Sequence, residues 1–285
     1  MALLSLFVVF VIFDIINHKL FKMKKTLITL ILIPYISFSQ VVSSVDFHVV
    51  NDGMESDYLK LEQIWREFHE KNIEDGTMIR WTLLKVNENK GGVANGATYE
   101  TVNTFPSEEV AKSIWEGMTR EKFRKLVRKR LKGKMTPKEM NKTLELKTQK
   151  GVHSYYIEPL GGTTTTASLE IGDKIFLDAM SQQNEEYEKY ENFFAKEVMQ
   201  YNVDNGNLKL WGFSKVNTSN DSALKDVTHF TWRVPVKGGS FEWNSDSLIK
   251  KFGNKFVYEK MWKLTGESRT VPGNVRLEII DILQK

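Results

Sequence analysis

The chain has 285 residues, with 40 Lys and Arg against 36 Asp and Glu, a formal charge of +4 and no cysteine. At 41% hydrophobic and 27% charged residues it suits one large or two ordinary globular domains, and a disordered or polytopic membrane chain is excluded. The missing cysteines exclude disulfides, thiolate metal sites and cysteine nucleophiles.

Residues 3–16 are almost wholly apolar but too few to span a bilayer comfortably. Lys24 and Lys25 then open a second apolar run over 26–36, closed by Ser37-Phe38-Ser39, the layout of a signal peptide cut between Ser39 and Gln40. We expect translation to start at Met23, with 1–22 an upstream extension. The mature protein is then exported, periplasmic or extracellular, and meets the membrane only through this segment. Its loss removes Lys19, Lys22, Lys24, Lys25 and Asp14, so the formal charge falls from +4 to +1. Global basicity therefore says little about partners.

Beyond the targeting segment the chain is written twice. Asp75-Gly76, Trp81, Lys85-Val86-Asn87 and Thr98-Tyr99 recur 130 positions later as Asn205-Gly206, Trp211, Lys215-Val216-Asn217 and Thr228-His229. Upstream, Tyr58, Glu62 and Trp65 meet Tyr187, Glu191 and Phe194 at an offset of 129, which places a one-residue slip between helix and strand.

Each copy predicts the same elements in order. Short β-rich first strands are expected over 45–50 and 174–179. Helices follow over about 56–72, with Tyr58, Leu61, Ile64, Trp65 and Phe68 on one stripe, and over about 185–201. Gly76 and Gly206 supply the left-handed exits. Strands over 78–86 with 98–105, and 208–216 with 227–234, come next. Single second helices are expected over about 107–132 and 245–264, then last strands over 152–157 and 275–283. This assigns 40–160 and 174–285 to two α+β repeats, joined by a Gly/Thr linker over 161–173.

The order β-α-β-β-α-β is the ferredoxin-like motif, a four-stranded antiparallel sheet with two helices on one face. Two copies on one chain resemble the dimeric α+β barrel superfamily, the docking here being intrachain, so that a monomer holds the pseudo-dimer. More narrowly, Tyr58-x3-Glu62-x2-Trp65-x3-His69 followed by Gly76 and Trp81 resembles secreted proteins of Bacteroidetes-type bacteria. The superfamily resemblance implies a cavity for a small aromatic or polyketide-like molecule, and in some branches haem.

On a helical wheel Glu62 and His69 fall beside Tyr58 and Trp65, so a carboxylate and an imidazole near aromatic walls are candidates for acid–base work. The competing reading is an aromatic core stripe with a solvated Glu and a packed His. Trp81 and Leu83 share one sheet face, as do Trp211 and Phe213; Tyr99 and His229 are equivalent on the neighbouring strands. Tyr58, Trp65, Trp81, Tyr99, Trp211 and His229 are thus the candidate ligand-binding set, or else the filling between sheet and helices. Arg80, His48 and His153 lie elsewhere on the sheets. His153 or His229 could ligate haem by analogy, but no H-x-x-x-H or HExxH spacing occurs, and neither metal nor cofactor is expected.

Residues 120–134 carry nine cations against Glu121 alone. Export argues against a nucleic-acid target, and Glu185, Glu186, Glu188 and Glu191 of the other copy are expected to answer part of this charge. The sequence therefore points to an exported binder of a small molecule, or an enzyme working without a cofactor. The alternative is a non-catalytic envelope or interaction scaffold.

Overall fold

The computed structural model describes residues 41–285. The signal-peptide, start-site and export expectations fall on or depend on residues outside that range.

In the first copy, β1 (Val42–Val50) leads into α1 (Glu55–Glu74), β2 (Arg80–Gly91) and β3 (Tyr99–Phe105). Three helices follow: α2 (Glu108–Trp115), α3 (Arg120–Arg130) and α4 (Pro137–Glu145); β4 (Gln149–Gly162) ends the copy. The second copy runs β5 (Lys174–Gln182), α5 (Tyr187–Tyr190), a π segment (Glu191–Ala195), α6 (Lys196–Asp204), β6 (Leu208–Ser219) and β7 (His229–Pro235). It ends with α7 (Asp246–Lys251), α8 (Lys255–Glu267) and β8 (Arg269–Gln284).

Each copy pairs its strands in the ferredoxin-like order, β4-β1-β3-β2 and β8-β5-β7-β6. The two sheets are then stitched by β2 to β8 and by β4 to β6, all antiparallel, into one closed eight-stranded barrel. Closure removes every unpaired strand edge. The expected architecture of two βαββαβ units docked within one chain is what the structure shows.

Several boundaries differ from the sequence reading, each for a local reason. The single helix expected over 107–132 is broken at Gly117 (φ +67°) and ends at Gly133 (φ +83°), and its counterpart breaks at Gly253 (φ +97°). New N-caps restart the chain: Thr119 accepts from the Lys122 N–H at 3.2 Å, Thr136 from Glu139 at 3.2 Å, and Asn254 from Val257 at 3.0 Å. Gly161 and Gly162, expected in the linker, instead close β4 by pairing with Phe213 and Gly212. The one-residue slip between the repeats lies inside the helix rather than after it. Glu191–Ala195 forms a π turn, which accommodates one more residue than the matching stretch of α1.

Strand alternation divides the side chains between two environments. Val45, Phe47, Leu84, Tyr155, Leu177, Phe230 and Leu277 fill the barrel interior. Trp81, Leu83 and Tyr99 face the helices of the first copy, and Trp211 and Phe213 those of the second. One end of the barrel is plugged by the β2–β3 and β6–β7 loops, whose Val93, Ala94, Ala97, Ala223 and Val227 join the interior core. Tyr155 holds the plug together, its hydroxyl donating to the Val93 carbonyl at 3.4 Å and accepting from the Leu224 N–H at 3.0 Å.

Candidate functional site

A cavity of about 220 Å³ runs into the barrel from the opposite end, where β1, β2, β5 and β6 begin. The first sheet gives it a polar wall. Ser43 on β1, Thr104 on β3 and Arg80 on β2 stand in one cross-strand row, and Thr82 follows on the next row. The Ser43 hydroxyl donates to Thr104 Oγ1 at 3.0 Å. Against these stand Ile175, Leu210, Trp232 and Val234 of the second sheet, with Leu169 from the connecting segment.

The contrast is a property of the duplication. Arg80 pairs with Thr104, and 130 positions later Leu210 pairs with Val234; Thr82 pairs with Val102, and Gly212 with Trp232. Backbone register is conserved between the copies while the inward side chains change from polar to apolar. At Gly212 an added Cβ would lie 3.7 Å from Trp232 Cδ1, so the indole lies over the bare backbone.

Arg80 is half-buried, with its Nε sealed from solvent and without a hydrogen-bond partner. Among the described residues no carboxylate lies within ion-pair distance of it. Burial pulls its pKa below the ordinary value, although a guanidinium stays charged. Glu100, the acid on the inward face of the same sheet, does not offset it. It lies further along β3 between Phe47 and Leu84, fully buried with both oxygens unpaired. Burial, assisted by the nearby Asp46 charge, raises its pKa well above the ordinary carboxylate value, which favours the uncharged form.

The candidate residues read from the sequence lie in the layers between sheet and helices. His69 is stacked between Trp65 (centroids 6.0 Å) and Trp81 (5.6 Å), with Nδ1 unpaired, and burial pushes its pKa down to about 3. Glu62 is buried beside Tyr58, and burial raises its pKa to about 7 against the opposing influence of the Tyr58 hydroxyl. No hydrogen bond joins Glu62 to His69, and only burial acts on the imidazole. Tyr58 packs against Tyr99 at 5.0 Å and His48 at 5.5 Å. Trp65 lines a second cavity of about 270 Å³ with Trp115, Phe123 and Arg124. Trp211 lines a third, of about 190 Å³, with Trp243, Trp262 and the ion-paired Arg233 and Arg269. The remaining candidates, Tyr58, Glu62, His69, Trp81, Tyr99 and His229, line none of these cavities.

Of the wall residues, Arg80 was expected elsewhere on the sheets, outside the candidate set, and Thr82 carried no expectation, because the aromatic residues of β2 lie on its other face. The alternation that puts Trp81 and Leu83 toward the helices sends Arg80 and Thr82 inward. The basic stretch is also answered differently than expected. Arg130 binds Glu70 at 2.8 Å and Glu74 at 2.9 Å, and Lys134 binds Glu67 at 2.6 Å, all from α1 of the same copy.

No family profile and no curated protein matches the chain. Solved structures do. A candidate monooxygenase from Fusobacterium nucleatum superposes with a TM-score of 0.51 at 10% identity, covering 87% of this chain and 95% of its own. A candidate monooxygenase from Lactobacillus acidophilus gives 0.49 at 9% identity, over 86% and 96%. A haem-binding protein from Thermus thermophilus gives 0.37 at 10% identity, over 85% and 92%. The likeness is one of fold, the ferredoxin-like α+β barrel.

The expectation that no cofactor is involved, with haem set aside, is corrected by these neighbours, which include that haem-binding protein and several chlorite dismutases. The histidines of the described residues do not fit axial ligation at the cavities above, because none lines one. His48 is within hydrogen-bond distance of Gln149 and Thr101, and His229 of Thr228 and Glu188. Both ring nitrogens of His153 meet plug-loop carbonyls, Ser222 at 2.6 Å and Asn95 at 2.9 Å.

Proposed function

We propose that this is an exported protein that binds a small organic molecule inside the barrel, between the two sheets. The observation that carries the reading is the barrel cavity itself: about 220 Å³, largely apolar, with a few convergent polar groups on one wall. That volume suits a ligand smaller than most drug-sized molecules. Export is supported by Lys24-Lys25, the apolar run that follows and the small-residue end at Ser39. The N-terminal residue of the secreted protein, read by mass spectrometry, tests it: Gln40 is expected, and Met1 contradicts it.

Binding is tested by titrating the protein with 1-octanol, a neutral apolar probe, and in parallel with haem. Gly212→Leu fills the cavity from the apolar side without a left-handed backbone to strain, since Gly212 has no positive φ. Octanol affinity should fall about tenfold or more in Gly212→Leu, in line with exclusion of several buried methylenes. Unchanged octanol affinity in that variant overturns the barrel site. A haem that binds and is equally insensitive to Gly212→Leu assigns haem to another place on the protein.

A further inference from the structure

Resting on the barrel site just proposed, the chemistry of its walls specifies the ligand more closely. A guanidinium taken out of water is costly unless it is paired, and buried cations in folded proteins are normally matched by a carboxylate. Arg80 has none among the described residues, and its Nε lacks even a neutral acceptor. The same position in the second copy is Leu210, in the same strand register, so the fold itself does not need a cation there. The cation sits on the wall of a cavity, in one row with the hydroxyl-bearing Ser43 and Thr104. Across from this row the cavity offers Trp232 and Ile175.

We propose that the barrel binds an amphipathic organic monocarboxylate, its carboxylate paired with Arg80 beside Ser43 and Thr104 and its apolar body laid against Trp232. Geometry selects the carboxylate, because the planar guanidinium fork matches two carboxylate oxygens at once. Charge selects a single anion: a phosphate monoester carries close to two charges, and among the described residues Arg80 is the one cation lining this cavity.

The test is calorimetric titration of the protein with octanoate, octyl phosphate and 1-octanol, repeated on Arg80→Gln and Arg80→Lys. Octanoate should bind about tenfold or more tightly than octanol, the range expected of a hydrogen bond to a charged group. Arg80→Gln should bring octanoate down to the octanol level of the same variant, with a cooperative thermal melt as the control for folding. Arg80→Lys should fall between them, keeping the charge and losing the fork. Equal affinity for octanoate and octanol overturns the carboxylate anchor while leaving the barrel site standing. Octyl phosphate binding as tightly as octanoate overturns the monocarboxylate class, and an octanoate preference that survives Arg80→Gln overturns the role of Arg80. If neither octanol nor octanoate binds, the barrel site itself falls.

Discussion

Glu62 and His69 show how the same residues can look catalytic in a sequence and structural in a fold. The helical spacing that puts both near an aromatic stripe is real, but α1 buries that stripe against the sheet, and each group is desolvated separately. Their effect is then on stability, with opposite signs. Glu62 has its folded pKa raised from 4.5 to about 7, so the native state holds a proton that the unfolded chain releases. Stability contributed by the neutral form is present below about 4.5 and is lost as pH rises to about 7, by about 3 kcal/mol. Glu62→Gln should flatten this window when urea unfolding is followed from pH 4.5 to 8; an unaltered slope would contradict the burial argument.

His69 works the other way. Its folded pKa is lowered from 6.5 to about 3, so the unfolded chain takes up the proton first. Stability is intact above about 6.5 and is lost as pH falls toward 3. His69→Phe keeps a ring between the two indoles and removes the titration. The variant should lose less stability between pH 6.5 and 4 than the parent, as read by thermal melts. An acid sensitivity identical to the parent's would mean that His69 is already protonated in the fold.

At the scale of elements, much was legible because the duplication supplied two readings of each one. The 130-position offset fixed the strands of both copies, and their pairing follows the same register in each. What escaped was set by single residues acting on the backbone. Gly117 and Gly253 break helices whose apolar stripe runs on past them, and the π turn at Glu191–Ala195 is invisible to a periodicity count. The seam between β2 and β8 was equally hidden, since nothing local announces a pairing between segments so far apart in sequence. There Gly91 (φ +82°) faces Gly273, and an added Cβ would sit 2.1 Å from the Pro272 carbonyl oxygen. Gly91→Ala should therefore cost about 1–3 kcal/mol from backbone strain alone, with the clash in addition. Chemical unfolding measures it, and a loss under about 0.5 kcal/mol would show that the seam can shift to make room.

For the whole molecule, closing two sheets into a barrel creates an interior that neither copy has alone. The residue types of the cavity wall were present in the sequence, but which side of β2 faces inward mattered only once β2–β8 and β4–β6 had closed the ring. This is why the aromatic residues drew attention to the helix-covered faces, while Arg80, Thr82 and Thr104 lie on the inner one. Duplication followed by divergence of the inward residues gives a pseudo-symmetric shell around an asymmetric cavity, polar on one side and apolar on the other.

The claim that a ligand lies inside this shell, rather than between a sheet and its helices, is tested most directly by isotope-filtered NOEs from bound 1-octanol to methyl-labelled protein. The account predicts cross-peaks to Val102, Ile175 and Val234, which line the barrel cavity. Cross-peaks instead to Ala195 and Val271 beside Trp211, or to Leu144 and Met118 beside Trp65, would place the ligand under the helices and contradict it.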